Sequence, residues 1–116
     1  MTTDNACIFC QMAIGEFPVE KLHEDGLVFA INDIGARAPT HILVIPKQHF
    51  ASVRELKSEH GPIVGHMVTT AQDVAERVGI APDGYRLTIN VGANGGQTIP
   101  HLHMHLMGGR KMGPEG

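Results

Sequence analysis

At 116 residues, 42% hydrophobic and with a formal charge of −3, the chain has room for one domain, spanning 1–116, and one modest core. The acidic balance argues against nucleic acid as a primary partner, and no apolar run approaches the ~20 residues of a membrane span. Met1-Thr2-Thr3-Asp4-Asn5 lacks the basic and apolar regions of a signal peptide, so a soluble, cytoplasmic protein is expected.

In chain order, Cys7-Ile8-Phe9-Cys10-Gln11-Met12-Ala13-Ile14 carries apolar residues at helical spacing and predicts one or two turns stopped at Gly15. Lys21–Glu24 and Leu27–Ile31 predict two strands around the Asp25-Gly26 turn. Asn32 to Thr40 is a loop. His41-Ile42-Leu43-Val44-Ile45 is nearly all apolar, as a central strand covered on both faces would be, and Pro46 ends it. Ser58 suggests the N-cap of one long helix from about Glu59 to Val78, with Pro62 tolerable in its first turn. Ile63, Met67, Ala71, Val74 and Val78 form its apolar stripe, widened by Val64, Val68 and Ala75. Gly79 stops it, and Gly65 invites close approach of another backbone. Tyr85–Val91 alternates as a fourth strand. Short turns between most strands imply an antiparallel sheet and an α+β class.

The most informative stretch comes last. In His101-Leu102-His103-Met104-His105-Leu106-Met107 three histidines alternate with apolar residues. In a strand His101, His103 and His105 share one face, each about 7 Å from the next, while Leu102, Met104 and Leu106 face a core. A helix would fan them over about 200° and make no common site. Three imidazoles on one face suit either a metal ion or an anionic substrate. Gly92, Gly95 and Gly96 just upstream favour the anion, because bare backbone can turn N–H groups toward phosphate oxygens. Asn94-Gly95 alone could also be a hairpin turn.

These residues resemble a known family. His101 to Met107 matches the histidine triad, and Cys7-Ile8-Phe9-Cys10, Asp33-Ile34, Ala38 to Pro46, Gly84-Tyr85-Arg86, Gly95-Gly96-Gln97 and Gly108-Gly109-Arg110 look like its nucleotide-binding (HINT) branch. The resemblance covers nearly the whole chain. It implies a five-stranded antiparallel sheet with one long helix and a short N-terminal helix, extended across a homodimer. It also implies a purine nucleotide site and hydrolysis at the α-phosphorus of adenosine 5′-phosphoramidates or acyl-adenylates, releasing AMP. By matching positions, His103 is the implied nucleophile, flanked by His105 and His41. Asn90, Gly96, Gln97 and Thr98 would hold phosphate oxygens or the leaving group, and Asp33 the ribose. Ile8, Phe9, Met12, Ile31, Ile34 and Leu43 would sandwich the base. Thr98 stands where serine is common in this branch, and Ile31 where an aromatic is common.

Cys7-x-x-Cys10 is half of a Cys₂His₂ zinc site by ligand type and spacing, although two reduced, buried cysteines are the plainer alternative. The resemblance supplies His49 and His101 as the remaining ligands of a structural Zn²⁺, with no catalytic metal required. His23, His60 and His66 are expected to lack chemistry. The functional alternative to an enzyme is a nucleotide-binding scaffold with only slow, incidental hydrolysis.

Overall fold

Alternation along the strands sorts the apolar side chains onto two sides of one sheet. In a computed structural model, which describes residues 6–115, the elements are α1 (Ile8–Ala13), β1 (His23–Glu24), β2 (Val28–Asn32), β3 (Thr40–Pro46), α2 (Gly61–Val78), β4 (Tyr85–Thr88) and β5 (Met104–Gly108). The sheet order is β1-β2-β3-β5-β4, and every neighbouring pair is antiparallel. β5 therefore slots between β3 and β4, which places the histidine stretch in the middle of the sheet.

One face carries Val28, Ala30, Ile42, Val44, Met104 and Leu106, packed against Met67, Ala71, Val74 and Ala75 of α2. The opposite face carries Phe29, Ile31, Leu43 and Ile45, capped by Phe9 and Met12 of α1. β3 is buried throughout except at Thr40, as its apolar run predicted. Each fully buried Val, Leu, Ile, Phe or Met among them contributes about 1.5–3 kcal/mol by leaving water. No helix of the described residues is long and apolar enough to cross a membrane.

Several local expectations are corrected. Ser58 does not cap α2: it opens a separate 3₁₀ turn, Ser58–His60, and α2 starts at Gly61 with Pro62 in its first turn. There the His60 ring accepts the backbone N–H of Lys57 at 2.9 Å. Gly79 stops the helix at φ +86, a conformation glycine adopts without strain. Val68 and Val78 are exposed at 40% and 43%, while Thr70 is buried. The stripe is set by where the sheet lies under the helix, and Val78 overhangs at its end. Gly65 has open space where a Cβ would sit, so no backbone approaches it within this chain. β4 stops at Thr88, short of Val91, because the chain then departs into the glycine loop.

Candidate active site

Residues paired across an antiparallel ladder share a face. Leu43 pairs with His105 and His41 with Met107, while Thr88 and Arg86 pair with the same two β5 residues from the other side. His41, His105, Thr88 and Arg86 therefore line the face opposite α2. The ladder begins only at Met104, later than expected, because Leu102 donates its N–H to the Phe50 carbonyl instead, at 2.7 Å. The alternation survives nonetheless. Leu102 is in the α2-side core, and the rings of His101 and His103 both meet Phe9 edge-on on the other side, at 5.6 and 5.3 Å between centroids.

The backbone selects the tautomers. His103 Nδ1 lies 2.7 Å from the His101 carbonyl oxygen, which can only accept, so Nδ1 carries the proton and Nε2 keeps its lone pair. His101 Nε2 likewise donates to the Pro46 carbonyl at 2.8 Å, leaving Nδ1 bare. His41 Nδ1 accepts the Arg37 backbone N–H at 3.1 Å, so its proton sits on Nε2. That Nε2 lies 2.9 Å from His105 Nδ1 and 3.3 Å from an Asp33 carboxylate oxygen. His105 thus accepts through Nδ1 and carries its own proton on Nε2.

Burial favours the neutral form of His41, His101 and His105. It pulls His105 down to about 4, helped by the repulsion that its charged form would meet from protonated His103 and His41 and from Arg37, and opposed by Asp33. Burial also lowers His41, opposed by the Asp33 carboxylate. His101 falls to about 4 for the same first reason, against the hydrogen bond to Pro46.

Beside the rings is a cavity of about 480 Å³ lined by Asp33, Arg37, Asn90, Thr98, His103 and His105, with Gly95 and Gly96 on its wall. A Cβ at Gly95 would strike the Val91 carbonyl oxygen and lie 2.8 Å from its nitrogen, so only glycine fits. The loop is not a simple hairpin turn: the amides of Gly96 and Gln97 close onto the carbonyls of Ala93 and Gly92 at 3.1 and 3.0 Å. The Gln97 side chain accepts from Gly92 N–H and donates to the Ala51 and Ile99 carbonyls, bracing the loop from within. Asn90 ties the loop to β4 through a 2.6 Å bond to the Gly95 carbonyl. Asp33 Oδ1 accepts from Gly35 N–H at 2.8 Å, while its other oxygen faces His41. One carboxylate both caps its own turn and enters the site.

Of the residues matched to a base clamp, Phe9, Met12, Ile31 and Leu43 are buried in one cluster with Ile8 packed against it. Ile34 is fully exposed and stands apart from that cluster. Arg37 went unnoticed in the sequence; its signal was a lone cation in the loop that leads into His41.

A second cluster lies at the head of the triad. The donor atoms of Cys7, Cys10, His49 and His101 all fall within 4.8 Å of one another. The two Nδ1 atoms are 3.1 Å apart, and Cys7 and Cys10 Sγ approach His101 and His49 Nδ1 at 3.2 and 3.3 Å. Tetrahedral zinc, with bonds of about 2.0–2.3 Å, needs edges of roughly 3.3–3.8 Å. The donor set fits with a small expansion, and the bare Nδ1 of His101 is already turned into it. Elsewhere, His23 and His66 both place Nε2 at 2.7 Å from one Asp25 oxygen. Burial raises that carboxyl, but the two imidazoles and the amides of Leu27 and Val28 outweigh it and hold it well below the usual range.

An α+β domain with tautomer-fixed histidines beneath a glycine loop is suited to nucleophilic work on an anionic substrate. The HIT domain model matches residues 15–112, and the chain belongs to this family. It is 46% identical over 107 residues to a purine nucleoside phosphoramidase of Escherichia coli K12, covering 92% of this chain and 90% of the relative. A histidine triad protein from Clostridium difficile superposes with a TM-score of 0.95 at 37% identity, covering 99% and 100% of the two chains. A HIT family hydrolase from Clostridium thermocellum gives 0.93 at 45% identity, covering 97% and 98%.

Proposed function

We propose that the chain is a nucleotide hydrolase that cleaves a bond to the α-phosphorus of adenosine 5′-phosphoramidates or acyl-adenylates. The observation that carries this reading is the 2.7 Å contact between His103 Nδ1 and the His101 carbonyl. It reserves Nε2 as an unprotonated nucleophile at the cavity wall. His103 Nε2 attacks phosphorus, and the bond to the leaving group breaks, expelling the amine (protonated by solvent) or the carboxylate of the acyl-adenylate with the bonding electron pair. Water then adds its oxygen to phosphorus, loses a proton to solvent, and AMP departs as the phosphorus–nitrogen bond to His103 breaks. His105, donating through Nε2, and the Thr98 hydroxyl stabilise charge on the phosphoryl oxygens. Asp33 meets the ribose, and the apolar cluster from Phe9 to Leu43, which abuts the cavity at His103 without lining it, would open to meet the purine. Gln97, Gly95 and Gly96 hold the loop in shape.

In the same reading Cys7, Cys10, His49 and His101 hold one Zn²⁺. A closed four-ligand site leaves no position for a reacting water, so the metal would pin α1 against the triad segment and take no part in the reaction. The protein is further proposed to be a homodimer, with the sheet continued across the two-fold. Light scattering at micromolar concentration tests this; the monomer mass would refute it.

The decisive experiment is rapid quench followed by intact-mass analysis. Wild type should carry one nucleotidyl group on His103 during turnover. His103→Ala should bind AMP yet lose several orders of magnitude in kcat, as expected when a covalent nucleophile is removed. Near wild-type hydrolysis by His103→Ala would overturn the assignment.

A further inference from the structure

A second cavity, of about 550 Å³, adjoins the first and shares Arg37 and Asn90 with it. Its remaining polar walls are Arg86, Thr88 and Glu115. The sheet register relates it to the histidines. Thr88 pairs with His105 and Arg86 with Met107, so Arg86 lies on the His105 face, about 7 Å further along β4.

The backbone of Arg37 and the side chain of Arg86 are held by their surroundings. Arg37 is anchored through its backbone, donating its N–H to His41 Nδ1 at 3.1 Å and accepting the Arg110 guanidinium on its carbonyl at 2.8 Å. Arg86 donates to the Gly113 carbonyl at 2.7 Å. Among the described residues neither guanidinium is paired with a carboxylate. Two cations against the single carboxylate of Glu115 leave this cavity electropositive.

The proposed reaction needs three subsites, and the first cavity accounts for two. Phosphoryl oxygens meet His105 and Thr98, and the nucleoside runs toward Asp33 and the apolar cluster. The leaving group needs a third direction. We propose that the second cavity receives it, and that Arg37 and Arg86 select leaving groups bearing an oxyanion, a carboxylate or a phosphate. Guanidinium forks match such groups with two parallel hydrogen bonds. As His103 Nε2 bonds to phosphorus, the phosphorus–nitrogen bond to the amine breaks. The amine departs with the electron pair, takes a proton from solvent, and leaves with its oxyanion still held by the arginines.

This inference rests on the hydrolytic reading above, and matched substrate pairs separate the two. The probes are adenosine 5′-phosphoramidates of tryptophan and tryptophan methyl ester, and of phosphoethanolamine and ethanolamine. Wild type should favour the anionic member of at least one pair by about tenfold in kcat/KM, the scale of one charge-assisted hydrogen bond. A preference in one pair alone identifies carboxylate or phosphate as the recognised group. In Arg37→Gln the ratio should fall toward one, with Arg86→Gln intermediate, and in wild type it should shrink as salt is raised. Equal rates within both pairs, or a tenfold preference retained by the Arg37→Gln, Arg86→Gln double variant, would overturn the proposal. If no compound is hydrolysed, the hydrolytic reading fails. Calorimetric Kd ratios for the same four compounds, in wild type and double variant, then decide the subsite by the same criterion.

Discussion

The Nε2 of His41 lies 2.9 Å from Nδ1 of His105, and because His41 receives the Arg37 amide on its other nitrogen, the proton between the two rings belongs to His41. This fixes His105 as a donor toward the cavity. His41→Ala should free His105 to take the other tautomer and lower kcat/KM by roughly 10–100-fold, less than the ~10²–10⁴-fold of a direct general acid or base because His41 acts through His105. His41→Gln, which keeps a donor, should recover part of the loss. Nitrogen chemical shifts of His105 should report the tautomer change, which a purely structural defect would not produce.

The Cys7, Cys10, His49 and His101 cluster predicts about one zinc per chain in protein purified without chelator. Cys7→Ser should lower the melting temperature and the zinc content together. Metal-free wild type with unchanged thermal stability would favour two plain reduced cysteines.

Gly95 is the loop position where a side chain cannot be placed, since the Val91 backbone occupies the space. Gly95→Ala should cost about 1–3 kcal/mol in urea unfolding, the usual penalty for overpacking. It should also depress turnover by disturbing Thr98. Gly26→Ala, with open space at its Cβ and far from the cavity lining, should change neither.

Burial holds His105 near 4 in the folded protein against an ordinary 6.5. Between those values the unfolded chain binds a proton that the folded chain refuses. Stability is therefore full above about pH 6.5 and is lost as pH falls toward 4. Urea midpoints measured across that window should decline less steeply for His105→Asn than for wild type. Parallel curves would show that His105 does not contribute to the acid sensitivity.

The order of elements, the α+β class and the sharing of one face by His101, His103 and His105 were legible in the sequence, because they depend on period-two alternation and local turn chemistry. The family resemblance also identified Cys7, Cys10, His49 and His101 as one set, and the folded chain brings their donor atoms within 4.8 Å of one another. Local rules failed where a neighbour decided the outcome. Ser58 was displaced from the start of α2 by a separate 3₁₀ turn, and Thr70 rather than Val68 was buried. The tautomers could not be read from residue types at all. They depend on single carbonyl and amide groups of His101, Pro46 and Arg37, aimed at ring nitrogens by the tertiary fold. Arg37 and Arg86 are 49 positions apart in the chain and join one cavity wall only because β5 inserts between β3 and β4. Alternation tells a strand which face is wet; only packing determines which distant loop closes over it.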